Sequence, residues 1–450
     1  MNPSKKVLII GSGGREQAMA FKLAQSKDVG IVYMCPDPKT PFSSEKIRGL
    51  NINPNHFDHL GSFTLEEKVD LVVVGPEVPL INGVVDFLEG KGVSILGPCM
   101  RGAKLEGSKH FSKQLMEEFK IPTASFKNAS SYQEGLKYLN EIDPSVFNLG
   151  IVVKADKLAA GKGVFLCDSK SEAEDILFKI MNDDEFVIKD DKVVIEEKLF
   201  GKEISAFALC DGSSFLTLGF ARDYKRLNDN DKGPNTGGMG GFSHHNLVSE
   251  ELRKKIEEEV FSKTLKSLKE KGIHYKGILF AGLMIDPSEK INVLEFNVRL
   301  GDPEAQILLP LVEEDLYPLF KAAADGRLEE LIKKRSRILK GKVHTKNESS
   351  VHVVMVSEGY PILEKGKKMK LNRHVQIPKL DKSSEDPTYY FLSGIQKEEE
   401  GNRLLNKSGR VLGVTGLGAD LKEAREKAYE KVRHTIFEGA HFRNDIAINL

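Results

Sequence analysis

The sequence predicts a multidomain protein of mixed class: α/β at its N-terminus, α+β in its middle, and a small β-rich domain at its C-terminus. Three observations carry this expectation. The chain has 450 residues, and at roughly 150 residues per domain that allows about three domains, each with its own apolar core. Short apolar runs alternate with helical patterns in the first hundred or so residues, the signature of a parallel sheet with crossovers. Further on, the alternation gives way to paired strands and long glycine-rich loops. The expected boundaries are 1–108, 109–330 with a lid lobe at about 122–192, and 331–450.

The elements follow in order. Val7–Ile10 is an apolar run that ends in Gly11-Ser12-Gly13-Gly14-Arg15-Glu16 and leads into a helical pattern through Leu23, giving strand, glycine turn and helix. Ile31–Met34, Leu71–Val74 and Val93–Leu96 read as further strands, and Gly83–Glu89 as a helix. Ser108 suits the N-cap of a helix running to Phe119, with Pro122 beyond its end. Ile151–Lys154 and Val164–Cys167 read as strands around a glycine-rich turn, followed by a helix near Glu172–Met181. Val193–Glu197 and Glu203–Cys210 read as a hairpin, Asp223–Gly240 as a long loop, and Ser249–Lys271 as a charged helix. Lys276–Ile285 and Ile291–Asn297 form a second hairpin, turning at Asp286–Lys290. Residues 331–348 are basic and polar without interleaved aromatics, as in a solvated connector. Val351–Val356, Tyr389–Leu392 and Arg410–Thr415 read as strands and Leu421–Phe437 as a helix.

Composition excludes several function classes. Lys+Arg total 66 and Asp+Glu total 66, so overall charge does not drive the chain onto nucleic acid or anionic lipid. Cys35, Cys99, Cys167 and Cys210 lie far apart and form no CxxC or Cys/His cluster, so no zinc site or disulfide framework is encoded locally. No apolar run approaches the roughly 18 residues of a membrane span. A reducing cytoplasm is the expected compartment.

Four constellations can carry chemistry. Glycines between the first strand and helix let backbone N–H groups approach a phosphate. Glu16 stands where a dinucleotide-binding turn needs glycine, so the turn alone names no ligand. Lys154-Ala-Asp-Lys157-Leu-Ala-Ala160-Gly161-Lys162-Gly163 sets a strand lysine before a small cationic loop that can close over phosphates, though its spacing is not that of a Walker A loop. Asp223-Tyr-Lys225-Arg226 precedes Gly233-Pro-Asn235-Thr236-Gly237-Gly238-Met239-Gly240, a glycine density that points to an anion- or carboxylate-binding loop. Glu295, Asn297 and Arg299 share one strand face in LEFNVRLGDPE, opposite Phe296, Val298 and Leu300. A carboxylate and an amide oxygen suit Mg²⁺, and the guanidinium suits a phosphoryl or carboxylate oxygen. Lys154, Lys162, Lys225, Arg226 and Arg299 are expected to converge there.

The order of these motifs resembles the phosphoribosylamine–glycine ligases (glycinamide ribonucleotide synthetases) of the ATP-grasp superfamily. The resemblance runs from VLIIGSGGRE through GPEVPL, LEGSKHFSK, KADKLAAGKGV, DYKRLNDNDKGPNTGGMG and LEFNVRLGDPE to GRVLGVTGLG, nearly the whole chain. It implies an ATP-grasp core in the middle domain and ligation of glycine to phosphoribosylamine through glycyl phosphate, with ADP, phosphate and glycinamide ribonucleotide as products. Lys109 and Lys154 would contact ATP phosphates, under a lid of Ala160, Gly161, Lys162 and Gly163. Glu196, Glu197 and Leu199 would line the adenine hinge, and Glu203 would hold the ribose. Glu295 and Asn297 would bind Mg²⁺ or Mn²⁺. Arg299, Lys225 and Asp223 would serve the chemistry. Gly11, Gly13, Gly14, Arg15, Glu16, Pro76, Glu77, Asn235, Thr236, Gly237, Gly238, Met239, Gly301 and Asp302 would face glycine and the phosphoribosyl group. The implied partners are small molecules, with no nucleic acid or membrane, and the implied state is a monomer or small homo-oligomer. The sequence departs from the family at Gln17 (usually His), 36–40 (usually Gly-Asn-rich), Lys157 (usually Gly), Tyr224 (usually His) and Leu300 (usually Phe). Two other readings stand beside this one: an ATP-grasp ligase for a different amine or amino acid, and a non-catalytic nucleotide-binding regulatory module.

Overall fold

The computed structural model describes residues 4–143, 145–146, 149–158, 163–186, 188–334, 341–362, 366–378, 387–398 and 403–448. Its first sheet has five parallel strands in the order Ile47–Gly49, Val29–Cys35, Lys5–Ile10, Leu71–Val74, Ile95–Leu96. The central strand feeds two cores. Leu8 and Ile10 pack with Val72 and Val74, while Val7 and Ile9 pack with Leu71 and Val73. Both faces are covered, which is why the run is continuously apolar and not alternating. Each fully buried side chain of this kind contributes about 1.5–3 kcal/mol relative to exposure. The strand order reverses between Lys5–Ile10 and Leu71–Val74, so a crevice opens at their carboxyl ends. Helix Gly14–Ala24 starts at that crevice, beside Gly75 and Pro76.

Phe126–Ala129, Val193–Glu197, Ile151–Ala155 and Val164–Cys167 form a four-stranded antiparallel sheet in that order. Helices Tyr132–Glu141 and Lys170–Asn182 cover it through Leu139, Ala173, Leu177 and Ile180. Here one expectation fails. Val193–Glu197 and Lys202–Asp211 are not a hairpin: the first pairs inside this lobe, and the second pairs with Phe215–Asp223 and Lys276–Ile285. The chain crosses between sheets at Lys198–Gly201, where Gly201 takes φ +154° against the Ile285 carbonyl. Alternating hydrophobicity marks a strand but does not name its partner.

The largest sheet has eight strands, in the order Ile291–Asn297, Lys276–Ile285, Lys202–Asp211, Phe215–Asp223, Gly240–Ser243, Ser349–Val356, Arg410–Gly418, Thr388–Phe391. Its pairings are antiparallel. The C-terminal strands therefore do not stand apart, because Gly240–Ser243 joins them to the middle of the chain. Helix Leu421–His434 packs Ala424, Ala428 and Val432 on Val351, Val353 and Val414. The expected loop at 223–240 contains a short hairpin, Arg226–Asn228 with Lys232–Asn235. The expected helix at 249–271 changes to π-helical form over Glu257–Ser262. Among the described residues no helix is long and apolar enough to cross a membrane, and Cys35, Cys99, Cys167 and Cys210 are free thiols.

Candidate active site

Glu295 is the electrostatic centre. It lies two residues before the end of strand Ile291–Asn297 and one before the buried Phe296. Desolvation pushes its pKa up, but Lys225, Lys154, Lys109 and Arg299 together pull it below the ordinary carboxylate value. The carboxylate is thus held as an anion among cations from four parts of the chain. Asn297 is two residues on, also buried. Of the expected cationic cluster, Lys154, Lys225 and Arg299 are here. Arg226 is not: its guanidinium donates to the Gly233 carbonyl at 2.8 Å within the hairpin. Lys162 lies outside the described residues, as do Ala160 and Gly161 of the expected lid. Gly163 accepts from the Ala155 N–H at 2.9 Å.

The phosphate-side lysines are fixed from beneath. Lys154 is 6% exposed, donates to the Leu294 carbonyl at 3.1 Å and ion-pairs with Glu196 at 2.9 Å. The other Glu196 oxygen ion-pairs with Lys113 at 2.9 Å, and Lys113 also donates to Thr123 Oγ1 at 2.7 Å. Burial pushes the Lys113 pKa down to about 8 despite Glu196. Lys109 opens the helix Lys109–Glu118, capped by the Ser108 hydroxyl accepting from the Phe111 N–H. Burial lowers its pKa as well, against the attraction of Glu295. Asp156 anchors the same turn by accepting from the His110 N–H at 2.7 Å and from the Ser108 hydroxyl at 3.0 Å. Glu196, assigned to the adenine hinge, turns its side chain toward the two lysines. Glu197 accepts from the Ser125 N–H at 2.8 Å, and Leu199 lies in the crossing to the large sheet.

Three acids and a lysine meet on the next face. Lys225 ion-pairs with Glu203. Against the desolvation it suffers, Glu203, Asp223 and Glu295 hold its pKa well above the ordinary value. Desolvation pushes Asp223 up to about 7, with Glu304 and Glu203 adding to the rise and Lys225 opposing it. Glu304 is buried and raised for the same first reason, and accepts from the Ser205 hydroxyl at 3.1 Å.

The N-terminal turn closes on itself. Gly11 has φ +111°, and a Cβ there would lie 2.6 Å from Glu16 Cγ and 2.8 Å from Pro76 Cδ. Glu16 accepts from the Gly13 N–H at 2.7 Å and from Arg15 Nε at 2.7 Å. Arg15 donates to the Leu300 carbonyl at 3.1 Å, while Gly14 faces Gln306 and Ser393. Arg299 lies just past its strand and ion-pairs with Glu77 at 3.3 Å and Glu106 at 2.7 Å. Glu106 also accepts from the Val298 N–H at 2.8 Å. Burial pushes Glu106 up and would push Glu77 up, but Arg299 and then Arg15 hold Glu77 low.

The glycine loop is gripped at its base. Thr236 donates through both its N–H and its hydroxyl to the Lys225 carbonyl, each at 2.8 Å. Met239 N–H donates to the Tyr224 carbonyl at 2.8 Å, and Asn235 pairs with Arg226 across the hairpin. Gly238, at φ +110°, would place a Cβ 2.5 Å from Pro303 Cδ, so this loop and the Gly301–Pro303 turn pack directly together. Asp302 accepts from Gln306 at 2.7 Å and ion-pairs with Arg410 at 3.0 Å. Burial opposes its ionisation, but Arg410 and Arg15 keep its pKa low. Below it, Thr415 Oγ1 donates to the Gln306 carbonyl at 2.9 Å and lies 2.7 Å from His352 Nδ1. The hydroxyl proton is committed, so Nδ1 carries the imidazole hydrogen and Nε2 is a lone-pair nitrogen without a partner among the described residues. Burial pushes the His352 pKa down to about 3.

The family departures are absorbed by nearby partners. Gln17 donates to the Leu392 carbonyl at 2.8 Å and accepts from its N–H at 2.6 Å, using the donor and acceptor of one amide on one backbone residue. Tyr224 lies under the Arg443 guanidinium at 4.7 Å, and its hydroxyl accepts from the Ala447 N–H at 3.1 Å. The Lys39 carbonyl takes the Lys397 N–H at 2.7 Å. Lys157 ion-pairs with Asp191 at 3.0 Å and Asp190 at 3.4 Å. The Leu300 side chain is buried in the core.

A carboxylate and an amide near the end of an antiparallel strand, faced by Lys154 from a separate four-stranded lobe and by Lys109 from a helix N-terminus, fit the ATP-grasp class of carboxylate–amine ligases. ATP-grasp proteins bind ATP and use a divalent metal. Residues 107–305 match the family "Phosphoribosylglycinamide synthetase, ATP-grasp (A) domain", 5–106 its N domain and 350–449 its C domain. The chain belongs to that family, the phosphoribosylamine–glycine ligases. It is 38% identical to the phosphoribosylamine–glycine ligase of Caldanaerobacter subterraneus subsp. tengcongensis, over 98% of this chain and 99% of that one. It is 37% identical to that of Haemophilus influenzae, over 98% and 97%. The phosphoribosylamine–glycine ligase structure from Thermotoga maritima superposes with TM-score 0.76 at 32% identity, covering 98% of this chain and 100% of that one. Biotin carboxylase of Campylobacter jejuni shares the fold, with TM-score 0.70 at 12% identity over 98% and 93%.

Sequence reasoning did not single out Lys113, Glu106, Glu304, His352 or Arg410. Lys113 lies in the SKHFSK string four residues after Lys109, on the same helical face, which is a usable signal. Arg410 is the second residue of GRVLGVTGLG, but nothing local ties it to a turn more than a hundred residues earlier.

Proposed function

We propose that the protein ligates glycine to phosphoribosylamine using ATP, through glycyl phosphate, releasing ADP, phosphate and glycinamide ribonucleotide. The observation that carries this is the Glu295 anion held among Lys109, Lys154, Lys225 and Arg299. That is the charge balance a triphosphate and a divalent cation need. One carboxylate and one amide oxygen suit Mg²⁺ or Mn²⁺, which usually takes one or two protein oxygens and completes its shell with phosphate and water. When bound, the metal would spread phosphoryl charge. Lys109, Lys154 and the lid at 160–163 would hold the phosphates, Glu196–Leu199 the base and Glu203 the ribose.

A carboxylate is a poor acyl donor because oxide is a poor leaving group. Phosphoryl transfer from ATP to a glycine carboxylate oxygen breaks the bond to ADP and gives an acyl phosphate. The amine of phosphoribosylamine then attacks the acyl carbon; the C–N bond forms, the C–O bond to phosphate breaks, and phosphate leaves. The amine sheds a proton, and Asp223, with a pKa of about 7, is matched to accept it at neutral pH. Lys225 and Arg299 stabilise the anionic oxygens as they develop. Residues 1–108 and the loop at 235–239, with Gly301 and Asp302, would hold the phosphoribosyl group and glycine. Residues 109–330 would hold ATP, and 331–450 would complete the site. The enzyme would act in the cytoplasm as a monomer or small homo-oligomer. The test is ADP release with glycine and freshly prepared phosphoribosylamine, each omitted in turn. Both omissions should abolish turnover; a rate that does not depend on phosphoribosylamine supports a different amine substrate, and tight ATP binding without turnover supports a regulatory module.

A further inference from the structure

Arg410 opens strand Arg410–Gly418 in the C-terminal part of the chain, yet its guanidinium is spent on the two turns that flank the proposed glycine and amine site. One nitrogen, Nη1, donates to the Gly237 carbonyl at 2.6 Å and to the Asp302 carbonyl at 2.8 Å. The other, Nη2, ion-pairs with the Asp302 carboxylate at 3.0 Å. The Gly237 N–H donates to the Tyr360 hydroxyl at 2.9 Å. Both backbone polar groups of Gly237 are therefore held by side chains from beyond residue 350. A Cβ at Gly237 would lie 3.3 Å from both Arg410 Cζ and the Tyr360 oxygen, so a bare Cα is what lets them approach.

The two turns have no backbone ladder between them. What joins them is the packing of Gly238 on Pro303 and the Arg410 fork. Their spacing matters, because the Lys225 carbonyl takes both Thr236 donors at the base of one turn and Arg299 lies just before the other. A shift of the glycine loop against Gly301–Asp302 would change the distance between groups that must meet the same acyl phosphate. A lysine could reach one acceptor as a point charge, whereas a planar guanidinium reaches three acceptors in fixed directions.

We propose that Arg410, assisted by Tyr360, is a positioning residue that locks the Gly237–Gly238 loop to the Gly301–Asp302 turn, and so sets the affinity for the amine and amino-acid substrates without touching ATP. The kinetic part rests on the proposed function; the locking does not. Arg410→Lys should raise the KM for glycine and phosphoribosylamine about tenfold, the equivalent of one lost charge-assisted hydrogen bond. It should leave the KM for ATP within about twofold. Arg410→Gln should do more, and Tyr360→Phe should move the same two constants in the same direction by less. Hydrogen exchange on the full chain supplies a readout free of substrate: peptides containing Gly237 and Asp302 should lose protection together in Arg410→Lys, while those around Lys154 should not. Unchanged exchange at both turns, or an ATP KM that rises as much as the other two, overturns the proposal. If wild-type enzyme releases no ADP with these substrates, the proposed function fails, and the exchange result still decides the role of Arg410.

Discussion

The buried Lys113–Glu196–Lys154 arrangement gives a quantitative test of how the phosphate-side lysine is supported. All three side chains are nearly sealed, at 2%, 2% and 6% residue exposure. An isosteric Glu196→Gln leaves two ammoniums facing a neutral amide. Leaving a buried charge without its partner costs about 3–5 kcal/mol. Lys113 has a cheaper exit, because it can release its proton. With a pKa of about 8, that release costs about 1.4 kcal/mol at pH 7. Lys154 keeps the Leu294 carbonyl but loses its counter-ion, and a lost hydrogen bond to a charged group is worth about 1.5–3 kcal/mol. The expected loss at pH 7 is therefore about 3–4 kcal/mol. At pH 9 native Lys113 is already largely neutral, so its share disappears and the loss falls by about 1 kcal/mol. Urea unfolding of wild type and variant at both pH values measures this directly. A loss that is equal at pH 7 and 9, or larger at pH 9, refutes the shared-counter-ion reasoning. Loss below 1 kcal/mol at pH 7 refutes the claim that the carboxylate compensates buried charge.

Glu295→Gln should lower turnover by two or more orders of magnitude at limiting Mg²⁺ while the chain still folds, with a lowered melting temperature because Lys225, Lys154, Lys109 and Arg299 lose their shared counter-ion; near-wild-type turnover would sink the metal assignment. The Asp223 carboxyl, raised to about 7, predicts that kcat/KM climbs as pH rises through 7 and levels off above it, with Asp223→Asn flattening the profile; a flat wild-type profile between pH 6 and 8 removes Asp223 as the proton acceptor. His352 binds its proton at about 3 when folded and near 6.5 ordinarily, so the unfolded chain takes up more protons between those values and stability falls as pH falls through this window. The share lost at pH 5 is about 2 kcal/mol. His352→Gln should show a correspondingly shallower acid limb in denaturation; identical limbs would refute it.

The chemistry-bearing strand was legible in the sequence because a strand places alternate residues on one face. Glu295 and Asn297 could be read as a pair from LEFN, with Phe296 between them on the core side, whereas Arg299 lies past the end of the strand and is held by Glu77 and Glu106. The same local logic gave the N-terminal strand, the glycine turn, the helix cap at Ser108 and the Lys276–Asn297 hairpin, each decided within a few residues of itself. Strand partners were not local. Val193–Glu197 and Lys202–Asp211 read as a hairpin, yet they separate into two sheets because each finds a longer ladder with a distant strand.

The sequence alone thus determined the fold class and the family, since both rest on patterns and spacing within short strings. Only the tertiary structure decided which charges neutralise one another. Glu196 serves two lysines from another strand and a helix, Arg299 is held by Glu77 and Glu106, and Arg410 reaches back to Asp302 and Gly237. A zero net charge says nothing about such pairs. Electrostatic energy falls off with distance and rises with burial, and both are set by how the chain closes on itself.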